Sequence, residues 1–192
     1  MPDKKNIKIL IVGENNTGKS SLLKKIVKRK FTPKLNIPTF GVNYDSKKYK
    51  NIIIDFWDIS GSMEYISLFE IYLFETDIVF LCFDVTDIET LIALENFWIP
   101  ETIQKKNSNK PTKIYLIGTK TDLQYDRDGI CNKIHNLQNK FNNIDYFLFS
   151  NKKEIFNLPK IIDPYCKSNN ILLTKQKNSI TFIEKIKNLF KK

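Results

Sequence analysis

Arginine is scarce in this chain. Of 31 lysines and arginines in 192 residues, only Arg29 and Arg127 are arginine. Histidine is scarcer still. His135 stands alone, with no Cys or acidic cluster of metal-ligand spacing around it, so it reads as a surface helix residue and not as a ligand. Cys82, Cys131 and Cys166 are odd in number and far apart, which excludes a disulfide framework and points to a reducing, cytoplasmic compartment. Cys82 lies in an apolar run and reads as core. No apolar run is long enough to cross a bilayer, and we expect no secretory signal, since Met1-Pro2-Asp3-Lys4-Lys5 leads almost directly into a strand. The sequence shows no internal repeat. A net charge of +10 could attract nucleic acid or an anionic membrane surface. The lysines are spread along the chain, however, with modest clusters at 24–30, 47–50 and 191–192. No nucleic-acid motif accompanies them, so we expect a solvated lysine-rich surface and no nucleic-acid partner.

What is present is ordinary for a globular protein: 42% hydrophobic and 27% charged residues, with length enough for one full core. Ile7 to Val12, Ile78 to Phe83 and Ile114 to Ile117 are nearly continuous apolar runs, as buried parallel strands are. Tyr44 to Lys50 and Ile52 to Trp57 read as two strands joined by a lysine-rich turn. Between them fall helical patterns at 21–28, 63–74 and 88–106, the last with a kink or restart at Pro100. This alternation predicts an α/β fold, a doubly wound, mostly parallel sheet with helices on both faces and ligands at the carboxyl ends of the strands.

The stretch Gly13-Glu14-Asn15-Asn16-Thr17-Gly18-Lys19-Ser20 stands between the first strand and the first helix. Gly-x-x-x-x-Gly-Lys-Ser in that context is the phosphate-binding P-loop. Gly13 and Gly18 allow the tight backbone that turns successive N–H groups toward phosphate oxygens, and the following helix adds the positive end of its dipole. Lys19 would reach the β- and γ-phosphates, and Ser20 would ligate Mg²⁺. Asn15, Asn16, Thr17 and Ser21 complete the expected cradle. Asp58-Ile59-Ser60-Gly61 follows the strand ending at Trp57, where an Asp can hold Mg²⁺ and a Gly leaves its N–H facing the γ-phosphate. Thr39, after Pro38, could ligate Mg²⁺ and touch the γ-phosphate, a contact that lasts only as long as that phosphate. Thr119-Lys120-Thr121-Asp122 follows the strand 114–117. The Asp122 carboxylate could accept two hydrogen bonds from guanine, which adenine does not offer; the Lys120 stem would cover one face of the base and Phe31 could stack near the other.

Together these pieces resemble the Ras superfamily of small GTPases, most closely its Rab family. The resemblance is close over 7–122 and looser beyond. Rab proteins carry Thr-Ile-Gly-Val-Asp-Phe in the first switch, where this chain has Thr39-Phe40-Gly41-Val42-Asn43-Tyr44. They carry Trp-Asp-Thr-Ala-Gly-Gln-Glu-Arg-Phe in the second, where this chain has Trp57-Asp58-Ile59-Ser60-Gly61-Ser62-Met63-Glu64-Tyr65. Phe83-Asp84-Val85-Thr86 is similar to the family's Tyr-Asp-Val-Thr. The resemblance implies a GTP/GDP switch with Mg²⁺, with Ser20, Thr39 and Asp58 at the metal and Lys19, Thr39, Gly61 and Ser62 at the hydrolysed bond. It implies effectors on an aromatic trio, Tyr44, Trp57 and Tyr72, for which core packing is the plainer alternative, together with an exchange factor and a GTPase-activating protein.

Several positions depart from the family. Ser62 replaces the Gln that positions the attacking water, so we expect slow GTP hydrolysis. The alternative function is a nearly inactive GTP-bound module, a decoy competing for Rab partners. No arginine stands in a switch, so a partner would have to supply one. The last guanine-side motif, Ser-Ala-Lys in the family, has two candidates. Ser150-Asn151-Lys152 has the usual spacing, but Pro159 and Pro164 should interrupt the helix after it. Lys175-Gln176-Lys177 precedes a helical pattern at 179–190, and we prefer it, with Gln176 and Lys177 at the base. That choice makes 1–192 a single domain with an insertion of a few tens of residues within 123–157. Prenylated terminal cysteines of the Rab kind and a Gly after Met1 are both missing. We therefore expect either no lipid anchor or a chain truncated before one, and from the lysine-rich end alone peripheral, salt-sensitive membrane attraction at most.

Overall fold

The computed structural model describes residues 6–28, 38–105 and 112–174. Phe31, Gln176, Lys177 and the helical pattern at 179–190 lie outside the described residues.

Among the described residues, six strands make one sheet: β1 (Asn6–Val12), β2 (Val42–Tyr49), β3 (Ile52–Ile59), β4 (Ile78–Asp84), β5 (Lys113–Thr119) and β6 (Ile144–Leu148). Their order is β2-β3-β1-β4-β5-β6. Only β2 runs antiparallel to its neighbour, as expected for a hairpin-linked edge strand; every other pair is parallel. The helices are α1 (Lys19–Lys28), α2 (Ile66–Leu73), α3 (Ile88–Ala93), α4 (Ile99–Lys105), α5 (Arg127–Lys140) and α6 (Pro159–Ser168).

Strand alternation splits the apolar side chains into two layers. Ile7, Ile9 and Ile11 point to a core closed by Leu22, Leu23 and Ile26 of α1 and by Ile161, Ile162, Tyr165 and Cys166 of α6. Leu10 and Val12 point to the opposite core, closed by Phe69 and Leu73 of α2, by Leu91, Leu94, Trp98 and Ile99, and by Ile130, Ile134 and Leu137 of α5. β4, at the centre, is buried at every position, which is why it reads as an unbroken apolar run.

The stretch 88–105 holds its expected break. Asp87 caps α3 by accepting from the Glu89 N–H at 3.1 Å. A π-helical turn, Leu94–Trp98, then separates α3 from α4, where Pro100 lacks the N–H that a continuous ladder needs.

Pro159 and Pro164 do not interrupt the helix after β6, and that expectation is corrected. Pro159 sits in the first turn, where no N–H is missed, and Pro164 is exposed, as is Lys160, whose carbonyl it leaves free for water. The interior proline costs about 3 kcal/mol. Four buried side chains on α6, at roughly 1.5–3 kcal/mol each for the large apolar ones, outweigh it. The described chain from 123 to 157 holds α5, β6 and short connections.

Candidate functional site

The loop between β1 and α1 turns where side chains would not fit. Gly13 has φ +134°, and a Cβ there would lie 2.2 Å from the Cys82 carbonyl oxygen of β4. Gly18 has φ +85°, and Asn16 takes the left-handed conformation that Asn tolerates, at φ +60°. Thr17 Oγ1 donates to the Glu14 carbonyl at 2.8 Å and fixes the loop's width. Lys19 is only 6% exposed, with Nζ donating to the carbonyls of Gly13 at 2.9 Å and Glu14 at 2.7 Å. Burial lowers its pKa, and the Asp58 carboxylate opposes that shift. A cation inside a loop of backbone, facing neutral carbonyls, is complementary to an anion such as a phosphate.

Three oxygen-bearing side chains from three elements meet beside it. Ser20 Oγ at the start of α1 donates to Asp58 Oδ2 at 2.6 Å and lies 2.8 Å from Thr39 Oγ1. Asn43 Nδ2, on β2, donates to Asp58 Oδ2 at 3.2 Å and to Thr39 Oγ1 at 3.3 Å. Asp58 is fully buried; burial raises its pKa, and the hydrogen bonds from Ser20 and Asn43 pull the other way. Its Oδ1 has no partner among the described residues. A buried carboxylate oxygen left over, with two hydroxyls at the spacing of adjacent ligands on a small octahedral cation (about 2.9 Å for bonds of 2.0–2.1 Å), fits Mg²⁺. Gly61 closes the same space, since a Cβ on it would lie 2.5 Å from the Asn15 nitrogen. Ser62 is half-buried, and its N–H donates to Ser60 Oγ at 3.3 Å.

The third loop cluster lies against the other flank of the P-loop. Thr119 Oγ1 donates to the Thr17 carbonyl at 2.6 Å, and Asn151 Nδ2 donates to the Gly18 carbonyl at 3.3 Å. Lys120 takes φ +64° and pairs with Asp84 Oδ2 at 2.5 Å. Ser150 Oγ donates to Asp122 Oδ1 at 2.7 Å, and this bond chiefly lowers the Asp122 pKa. The Ser150 N–H and Thr121 Oγ1 both reach Glu154 Oε1, at 3.2 and 3.3 Å. The Asn151 Oδ1 is buried with no partner among the described residues.

The structure therefore brings Gly13, Asn15, Asn16, Thr17, Gly18, Lys19, Ser20, Ser21, Thr39, Asp58, Gly61, Ser62, Thr119, Lys120 and Asp122 to the β1-α1 loop and the loops around it. The loop holding Ser150 and Asn151 joins them, whereas the preferred Lys175-Gln176-Lys177 lies outside the described residues. The 150–152 loop carried its own signal in the sequence, a Ser-x-Lys directly after an apolar strand. Glu154 was missed, and Asn43 and Asp84, though they stand in quoted family motifs, were given no role, because each acts on a neighbouring residue of the site.

Tyr44 of β2, Trp57 of β3 and Tyr72 of α2 stack in a row, with successive ring centroids 4.7 Å apart. Tyr44 is 54% exposed, while Trp57 and Tyr72 are half-buried against the second core. The trio thus combines core packing with an exposed aromatic surface.

The Ras family, taken as a sequence profile, matches residues 8–167. The Ras-related protein RabV of Dictyostelium discoideum is 36% identical over 137 residues, covering 66% of this chain and 56% of that protein. The Ras-related protein Rab-28 of Caenorhabditis elegans is 30% identical over 131 residues, covering 66% of this chain and 52% of its own length. The human Rho-related GTP-binding protein RhoD is 30% identical over 136 residues, covering 69% and 62%. The chain spans about half the length of the curated relatives it matches.

Proposed function

The chain belongs to the Ras family of small GTPases, where its likeness is to Rab proteins, and from that membership we propose that it is a guanine-nucleotide switch that binds GTP and GDP with Mg²⁺ and hydrolyses GTP slowly. The observation that carries this reading is the meeting of Ser20, Thr39 and Asp58 at the mouth of a P-loop whose lysine is already buried in place. Ser20, Thr39 and Asp58 would hold Mg²⁺, which when bound neutralises charge on the phosphates. Lys19 and the loop N–H groups bind and orient those phosphates. Asp122, held ionised by the Ser150 hydroxyl, accepts the guanine edge, and we assign 150–152 as the loop closing over the base. Thr119 and Asn151 tie both parts to the P-loop carbonyls, so base and phosphate subsites share one frame.

Thr39 and Gly61 are the two backbone points that would respond to the γ-phosphate, one from each switch. Ser62 supports slow turnover, because its hydroxyl is too short to hold the water that a glutamine would hold. The same residue favours a second reading, a GTP-bound module that competes for Rab partners. Effectors would dock on Tyr44, Trp57 and Tyr72, and an activating partner would bring the arginine that the switch motifs lack. No helix among the described residues is long and apolar enough to cross a membrane. Our reading is of a cytoplasmic protein, peripheral to membranes at most. The deciding experiment identifies the nucleotide retained on purification and follows its single-turnover hydrolysis with Mg²⁺. Retained GDP or GTP is expected; retained ATP would overturn the reading. Turnover that stays negligible with a cellular activator selects the competitor module.

A further inference from the structure

Glu14 is the one acidic residue between Gly13 and Ser20, in a loop built to receive anions. No nucleotide-binding role in the reading above uses its carboxylate. Its side chain is held from outside the loop: Trp98 Nε1 donates to Glu14 Oε1 at 2.9 Å. Trp98 is 1% exposed and ends the π-helical turn before α4. Its ring meets Phe69 of α2 edge-on at 5.4 Å. The backbone of Glu14 is equally engaged. Its carbonyl accepts from Lys19 Nζ and Thr17 Oγ1, and its carbonyl carbon lies 2.5 Å from where a Cβ on Gly61 would stand. One residue thus joins the phosphate-binding lysine, the second switch and, through the indole, the helix that follows that switch.

We propose that Trp98 is a positioning residue of the nucleotide site, its indole N–H anchoring the Glu14 carboxylate so that the loop's one negative side chain stays off the phosphates while backbone 13–15 keeps its phosphate-binding form. The inference rests on the guanine-nucleotide reading. Two physical facts drive it. A buried indole N–H needs an acceptor, and an ionised carboxylate makes the stronger kind of hydrogen bond. A carboxylate released inside a half-buried, low-dielectric loop would repel bound phosphate strongly and over several ångströms.

The test is the release rate of a fluorescent GDP analogue from the whole chain with Mg²⁺. Trp98→Phe keeps an aromatic ring for Phe69 and removes the N–H; release should quicken about tenfold, the scale of one hydrogen bond to a charged group. Adding Glu14→Gln to Trp98→Phe should return release to within about twofold of wild type, because a neutral amide does not repel phosphate. A merely structural tryptophan predicts the opposite, a double variant at least as fast as the single one. Glu14→Asp leaves the core untouched and shortens the reach to the indole, so it tests the same contact if Trp98→Phe fails to fold; release about fivefold faster is expected. Wild-type release from both Trp98→Phe and Glu14→Asp overturns the inference, as does fast release in Trp98→Phe that Glu14→Gln does not rescue. A wild-type chain that holds no GDP overturns the guanine-nucleotide reading instead.

Discussion

Two polar side chains decide how the site answers to chemistry and to acid. Ser62 stands beside Gly61, whose backbone seats against the P-loop. On the proposed slow turnover, Ser62→Gln should raise single-turnover GTP hydrolysis about tenfold, since a positioned group is worth at least that much; an unchanged rate would show that Ser62 does not limit it. Asp122 has a folded pKa below its ordinary value because Ser150 donates to it. A depressed carboxylate stabilises the fold above its unfolded pKa of about 3.9, and that contribution is lost as pH falls through the lower folded value. Ser150→Ala should therefore move the acid limb of the urea-denaturation profile toward higher pH, with no change near neutrality in the slope of stability against pH. An acid limb that stays put would show that the Ser150 hydroxyl does not set the Asp122 pKa.

The elements were legible to the degree that burial wrote them into the sequence. β1, β4 and β5 are apolar because helices cover both their faces, and the P-loop announces itself because only glycine clears the Cys82 carbonyl at position 13. α6 was misread because two prolines are visible in sequence, whereas the four side chains it buries count only once the sheet is in place. The same discounting of α6 is what set Ser150-Asn151-Lys152 below Lys175-Gln176-Lys177 as the guanine-side candidate. The docking of α6 can be tested at its far end, where Tyr165 donates to Asp77 Oδ1 at 2.6 Å and the Asp77 Oδ2 accepts the Lys8 N–H at 2.8 Å. Burial chiefly, and this bond next, push the Tyr165 phenol well above its ordinary pKa. Tyr165→Phe should cost about 1–3 kcal/mol by urea denaturation, the range for removing one partner of a charged hydrogen bond. A cost near zero would show that α6 is held by its apolar face alone.

For the molecule as a whole, a bound nucleotide would become part of the fold's thermodynamics. Carbonyls of the P-loop take side chains from β5 and from the loop after its neighbour β6, so a ligand gripping that loop would draw on that end of the sheet as well as on β1 and α1. GDP with Mg²⁺ at a hundredfold excess over its dissociation constant should add about 2.7 kcal/mol and raise the melting temperature, while ADP at the same concentration should leave it unmoved. An equal rise with ADP would remove the case for guanine selection at Asp122. The three thiols divide the chain in another way. Cys82 and Cys166 are sealed in one core, and Cys131, on α5, is the one that reaches solvent. The strand order places β2 at one end of the sheet and β6, against which α5 packs, at the other. The native sequence is thus ready for site-specific labelling: a single thiol-reactive dye would settle on α5, across the full width of the sheet from Tyr44 on β2, and could report tumbling or partner capture without standing on the proposed docking surface.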